Sequence, residues 1–306
     1  MKKGNWIKLP NGHLAKRKSS RLVSWLAENE IILSTEIAPY SYTVAGQEQA
    51  SDISLSTSAA AFNASMLYDQ PVMFFGAGSV GSHMAYNLGL AQPAIRIVDF
   101  KKVEARHTHD GRTIYDPTLI NLYKVDALKK KLERDCPGTT VISYPYNVAE
   151  IPDVELKVMF AESLLVILAI DDAAQILRIA ELCYPIVELI QVAMHAGGLS
   201  GHIAITVPCV TPCLLCTLGV SSSQEIRRLD SEPANSCDIM TVAQQAARIA
   251  IDIMYSKVTG KDITRWDTSK NLIYITNTRD KMTPDGPGIV LEGSRKRRGC
   301  LICNRY

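Results

Sequence analysis

The chain has 306 residues, 47% hydrophobic and 21% charged, enough for one large or two ordinary domains with a sizeable core. With 33 basic against 31 acidic residues the net charge is +2, which excludes a global electrostatic drive toward nucleic acid or an anionic membrane. No apolar run is long enough to span a bilayer, and the basic start MKKGNWIKLPNGH has no apolar signal-peptide core behind it, so the expected location is the cytoplasm. Thiols stay reduced there, and the eight cysteines point to metal or chemistry before disulfides.

Residues 1–60 form an N-terminal extension without strong periodicity, a possible partner-binding segment. A helix is expected over residues 15–33, with Lys16, Arg17, Lys18 and Arg21 on a solvated face. A Ser/Thr-rich stretch over 51–58 precedes a helix expected over 59–70. From Pro71 the pattern alternates: strand 71–76, helix 80–91, strand 94–100, helix 121–135, strands 139–146 and 163–170, helix 172–184, strand 186–194. The last part carries a helix over 240–258 and strands over 271–278 and 288–293. Alternation of this kind predicts an α/β domain over 61–306 with a doubly wound, mainly parallel, Rossmann-like sheet.

At the first strand's end, Gly76, Gly78 and Gly81 fit G-x-G-x-x-G, a tight turn whose backbone approaches a pyrophosphate at a helix N-terminus. Asp99, about twenty residues on, is placed to bond ribose hydroxyls. The turn does not separate NAD from ATP, and a glycine turn without a ligand has the same spacing. Two other features bear on the choice. Cys213 with Cys216 and Cys300 with Cys303 form two CxxC knuckles suited to one tetrahedral zinc, a clip between distant parts of the chain; redox pairs or plain buried cysteines are the alternatives. Cys136, Cys183 and Cys209 read as bystanders. Asp171 and Asp172 follow the apolar strand over 163–170, at the edge where α/β sheets bind ligands. Asp171 is a candidate Mg²⁺ ligand beside a triphosphate, and capping of the next helix is the competing reading for either residue. With Lys124 and Arg112 available for phosphates, the set favours ATP.

In this order the motifs resemble the ThiF/MoeB-type adenylation fold of ubiquitin-activating enzymes. VMFFGAGSVGS and IRIVDF are similar to that family's nucleotide turn and ribose aspartate, and LAIDD to its metal-binding step. HAGGLSGHIAITVPCVTPCLLC resembles its strand turn and first zinc knuckle, NSCDIMTVAQQAARIAIDIM the stretch with a reactive cysteine before a helix, and RKRRGCLIC the closing knuckle. The resemblance implies that ATP adenylates the C-terminal carboxylate of a ubiquitin-like or sulfur-carrier protein, after which Cys237 takes the acyl group as a thioester for a conjugating-enzyme-like partner. It also implies ATP, Mg²⁺ and Zn²⁺ as cofactors, a homodimer, Asp99 on ribose, Asp171 on the metal, and Lys124 with an arginine on phosphate. His109 to Arg112 has the family's Asn-x-x-Arg spacing with His for Asn, and Arg106-His107 is a competing alignment, so Arg112 and Arg106 are alternative phosphate ligands. Asp172 stands where the family has Asn. Arg17 or Arg21 is a candidate for an arginine supplied across the dimer. The alternatives are a sulfur-carrier or small-molecule adenylyltransferase, a scaffolding subunit, and an NAD-dependent oxidoreductase. The chain is expected to carry no sulfurtransferase or ubiquitin-fold module after the second knuckle, and the basic run Arg295 to Arg298 is read as a solvated or partner-facing surface rather than a nucleic-acid site.

Overall fold

The computed structural model describes residues 6–8, 14–16, 53–54, 61–62, 64–109, 111–219, 234–260, 269–279, 281–300 and 302–303. The chain divides into two units, Met1–Ala64 and Ser65–Tyr306. In the first, β1 (Trp6–Lys8) pairs antiparallel with β2 (Leu14–Lys16), and β3 (Ile53–Ser54) with β4 (Ala61–Phe62). The helix expected over 15–33 lies almost wholly outside the described residues, and its first two positions close β2. The helix expected over 59–70 is not formed: Ala61 and Phe62 are extended, and only a 3-10 turn, Ala64–Leu67, is helical. Four residues with a single buried anchor, Leu67, give too few contacts to offset the cost of nucleating a longer helix.

The second unit is built on eight strands: β5 (Pro71–Phe75), β6 (Ala94–Val98), β7 (Val141–Tyr144), β8 (Leu165–Leu168), β9 (Leu189–Met194), β10 (Ser200–Thr206), β11 (Leu272–Thr276) and β12 (Gly288–Glu292), in the spatial order β12-β11-β10-β9-β8-β5-β6-β7. Pairing is parallel from β7 through β9 and antiparallel from β9 through β12, so the sheet is mixed. Strands β5 and β8 are apolar on both faces and fully buried from Val72 to Phe75 and Leu165 to Leu168, as a central parallel position requires.

Among the described residues six α-helices accompany the sheet: α1 (Ser79–Gly89), α2 (Lys124–Asp135), α3 (Asp153–Ala161), α4 (Ala173–Cys183), α5 (Leu214–Thr217) and α6 (Ser236–Thr259). Helices α1 and α6 pack on one another, and α6 also lies against β9 and β10. On the other face α3 and α4 cover Met73, Phe75, Val166 and Leu168 through Leu156, Phe160, Ile176 and Ile179, with the Phe75 and Phe160 rings edge to face at 5.9 Å. After β5 the chain goes by α1 to β6 and on to β7, then returns to place β8 on the other side of β5. The topological switch point therefore lies between the carboxyl ends of β5 and β8, the crevice where open α/β sheets bind ligands.

Candidate nucleotide site at the switch point

The structure requires glycine at two of the three positions and leaves open space over the third. Gly76 has φ +101°, and a Cβ there would lie 2.2 Å from the Ala169 carbonyl oxygen at the end of β8. A Cβ on Gly81 would lie 2.2 Å from the Gly76 carbonyl oxygen, so only glycine lets α1 start this close to the turn. Gly78, the N-cap of α1, has φ −76°, and a Cβ there would meet nothing within 4 Å. The space over Gly78 is open where the turn and the first N–H groups of α1 face outward, which suits an anionic ligand. Gly76→Ala or Gly81→Ala should therefore destabilise the protein by about 1–3 kcal/mol, while Gly78→Ala keeps its melting temperature and loses nucleotide affinity; thermal unfolding with and without ATP separates the two classes.

Side chains from three other segments surround the turn. Asp99, just past β6, accepts the Ala77 N–H at Oδ2 and the Lys101 N–H at Oδ1, both at 2.8 Å. The buried Tyr115 hydroxyl donates to the Ala77 carbonyl at 2.7 Å. Lys124, the first residue of α2, is only 5% exposed. Burial pushes its ammonium below the ordinary lysine value, the Asp99 carboxylate pulls it back up, and Lys101 adds to the lowering. Among the described residues no acceptor lies within hydrogen-bonding distance of its Nζ. The Lys124 stem is covered while its Nζ is not sealed off, since the Thr206 hydroxyl is the one fully buried side-chain polar atom without a partner among the described residues; an anion at the site could therefore reach the ammonium.

Asp171 and Asp172 have different surroundings. Asp172 caps α4, accepting the N–H groups of Ala174 and Gln175 at 2.9 and 3.2 Å. Asp171 is exposed, and its carboxylate faces the Lys101 ammonium at 3.4 Å. Lys101, which sequence reasoning missed, thus neutralises the oxygen that was expected to meet a cation. The signal was present in Lys101-Lys102, two positions beyond Asp99, but only the sheet order brings that loop to the end of β8.

The two candidate arginines lie in different places. Arg106, in a 3-10 turn over Ala105–His107, pairs with Glu104 at 2.8 Å, and its charge is felt at Lys124. His107 in the same turn accepts the Glu104 N–H at Nδ1 (2.8 Å), and burial lowers its pKa. Arg112 is half-buried beside His83 of α1, whose Nε2 donates to the Gly111 carbonyl at 2.9 Å.

Cys237 is exposed in the first turn of α6, where its N–H donates to the Asn235 side chain at 2.7 Å. A Cβ on Gly111 would lie 3.1 Å from the Ser236 side chain, and one on Gly198 2.6 Å from that of Ala234. The start of α6 is therefore packed between the Arg112 loop and the turn after β9.

The four knuckle cysteines converge at the start of α5. Their sulfurs all lie within 4.8 Å of one another, with Cys213 and Cys300 at 3.5 Å and Cys216 and Cys303 at 3.8 Å. A tetrahedral zinc with bonds of about 2.3 Å separates its sulfurs by about 3.8 Å, so the buried set fits that ion. The N–H groups of Cys213 and Arg297 point at Cys303 and Cys216 sulfurs, as they do at thiolates. Cys136 and Cys183 are buried in the core and Cys209 is exposed, outside the cluster.

A further polar chain runs along the end of β9 and β10. Burial holds His202 down to about 3, with neighbouring His195 adding to the effect. An unfolded histidine titrates at its ordinary value of 6.5, so between those two values the unfolded chain binds the extra proton. The stability this residue contributes is full above pH 6.5 and drains as pH falls toward 3, by about 2 kcal/mol at pH 5. Urea unfolding at pH 7 and 5 should show that loss in the native chain and a smaller one in His202→Gln.

The ThiF family model matches residues 58–284. No curated protein matches the sequence significantly. Among solved structures, E. coli MccB with ATP aligns at TM-score 0.61 and 15% identity over 78% of this chain and 68% of that one. E. coli MccB with MccA-N7isoASN aligns at 0.62 and 15% over 78% and 69%, and SeMet PaaA at 0.58 and 15% over 92% and 84%. At such identity these likenesses speak for the fold, while the family match spans most of the chain. The chain belongs to the ThiF family.

Proposed function

We propose that this protein is an ATP-dependent adenylyltransferase acting on the C-terminal carboxylate of a polypeptide, by preference a ubiquitin-like or sulfur-carrier protein. The observation that carries the reading is Lys124, a largely covered side chain whose ammonium has no hydrogen-bond acceptor among the described residues and feels Asp99, near the open Gly78 turn, a positive site with room for phosphates at the switch point. Asp99 would hold ribose hydroxyls with its remaining lone pairs, Lys124 and Arg106 would neutralise phosphate oxygens, and Asp171 would hold Mg²⁺ once Lys101 swings aside. Of the two arginines, the coupling of Arg106 to Lys124 favours it over Arg112, which lies nearer Cys237. Bound Mg²⁺ would spread the negative charge of the triphosphate. The residues of the chain align the carboxylate with the α-phosphorus and steady the charge that grows on the departing pyrophosphate.

The likeness to MccB, solved with ATP and with forms of the peptide MccA, supports nucleotide-dependent chemistry on a polypeptide and adds a short peptide as a second substrate class. ATP–pyrophosphate exchange against glycine-terminated small proteins and short peptides tests the reading, and exchange with none of them overturns it. The acyl group would pass to Cys237, which is exposed at a helix start beside the Arg112 loop. Cys237→Ala should leave exchange almost intact and abolish any thiol-sensitive adduct. A thiol-sensitive adduct that persists, or that maps to Cys136, Cys183 or Cys209, retires Cys237 as nucleophile. Residues 1–60 would receive a conjugating-enzyme-like partner, and a homodimer is the proposed assembly, with Arg17 or Arg21 as the arginine reaching a second copy.

A further inference from the structure

Four side chains form one continuous hydrogen-bonded chain at the carboxyl edge of the sheet. The Ser200 hydroxyl meets His195 Nδ1 at 2.7 Å, His195 Nε2 meets His202 Nδ1 at 2.8 Å, and His202 Nε2 meets Gln191 Oε1 at 2.7 Å. The direction of the chain is set at its buried end. Gln191 is 3% exposed and its amide oxygen only accepts, so His202 donates from Nε2 and accepts at Nδ1. His195 must then donate from Nε2, which leaves Nδ1 as a bare acceptor for the Ser200 proton. A hydroxyl donating to an imidazole whose far side is held by a second group is the arrangement of an activated nucleophile.

The fold places this chain beside the nucleotide site. Gln191 pairs in register with Leu168 of β8, three residues before Asp171, and His195 follows β9 at the same edge. Ser200 and both histidines are only partly covered, and the 3-10 turn Ala196–Gly198 between His195 and Ser200 touches the segment that leads into α6. A polar chain needed only to hold the β9–β10 turn would gain nothing from an accessible hydroxyl at its end. Burial keeps His195 unprotonated at neutral pH, the form a base needs.

We infer that Ser200 is an acyl-accepting nucleophile with His195 as its general base, taking activated acyl groups such as esters or acyl-adenylates. The Ser200 Oγ–acyl carbon bond forms, the bond from that carbon to the leaving oxygen breaks, and the leaving group departs with the electron pair, as AMP from an acyl-adenylate. The hydroxyl proton passes to His195 Nδ1, and the resulting imidazolium is steadied by the His202 nitrogen that accepts its Nε2–H. His202 and Gln191 are positioning residues. This inference is independent of the adenylation reading.

The test uses the full chain and an alkyl fluorophosphonate, which reports an activated serine without any substrate of the adenylation reaction. The expected result is a stoichiometric phosphonyl adduct mapped by mass spectrometry to Ser200, absent in Ser200→Ala. Labelling should slow by about a hundredfold in His195→Gln and by a smaller factor in His202→Gln. No adduct on Ser200 in the native protein overturns the inference, as does labelling of unchanged rate in His195→Gln. Labelling without pyrophosphate exchange would defeat only the adenylation reading, and exchange without labelling only this one. An acyl adduct on Ser200 would also resist thiols, which separates it from a thioester on Cys237.

Discussion

Replacing Asp171 by alanine should lower ATP–pyrophosphate exchange by about a hundredfold or more, the scale of losing one electrostatic group where charge develops. Asp172 is committed differently: its Oδ1 accepts the N–H groups of Ala174 and Gln175 as the cap of α4, so Asp172→Ala should instead weaken that helix start. Lys124→Ala should act similarly, since it removes the cation that sits near Asp99 at the turn. Lys101→Ala supplies the control: it frees Asp171 without touching the proposed metal ligand, and it should leave exchange within a small factor of the native rate at saturating Mg²⁺. Near-normal exchange in both Asp171→Ala and Lys124→Ala would favour a scaffolding subunit. Tight NAD binding without ATP binding would favour an oxidoreductase.

Loss of the metal clip is the second large effect. Purified protein should hold about one zinc per chain on Cys213, Cys216, Cys300 and Cys303. Changing Cys300 and Cys303 together to serine should release it and lower stability by several kcal/mol, because binding at such a site is coupled to folding. The loss should fall on the neighbourhood of the clip: Tyr184 packs against the four cysteines, and Ser294, six residues before Cys300, bonds Asn271 at the head of β11. Hydrogen exchange should therefore rise first in β11 and β12. Full zinc content in the double variant would show that the ligand set is wrong.

Much of the fold was legible because periodicity and burial agree. Residues 163–170 read as a central strand, and Leu165–Leu168 is fully buried on both faces. Helix α3 was not legible, because exposed Val154 and Val158 break the amphipathic stripe that marks a surface helix. The antiparallel half of the sheet was also hidden: pairing direction follows from long-range contacts such as Ser200 with Thr276, which local pattern does not record. Within the site, the glycines and Asp99 announce themselves by spacing. The partner of Asp171 and the covering of the Lys124 side chain arise only when sheet order brings separate loops together. Likewise His195 and His202 look like ordinary strand-end residues until antiparallel pairing stacks β10 on β9.

The grip on Ala77 has a consequence for how a ligand is received. Asp99 holds the N–H on one side of this residue and Tyr115 the carbonyl on the other, so both peptide planes are fixed by side chains from outside the turn. The conformational entropy of ordering the turn is then lost on folding rather than on association, and a nucleotide meets a preorganised cradle. Loosening one side, as Tyr115→Phe would, shifts that loss onto the binding step: the fold persists, the bound geometry is unchanged, and affinity falls through entropy alone.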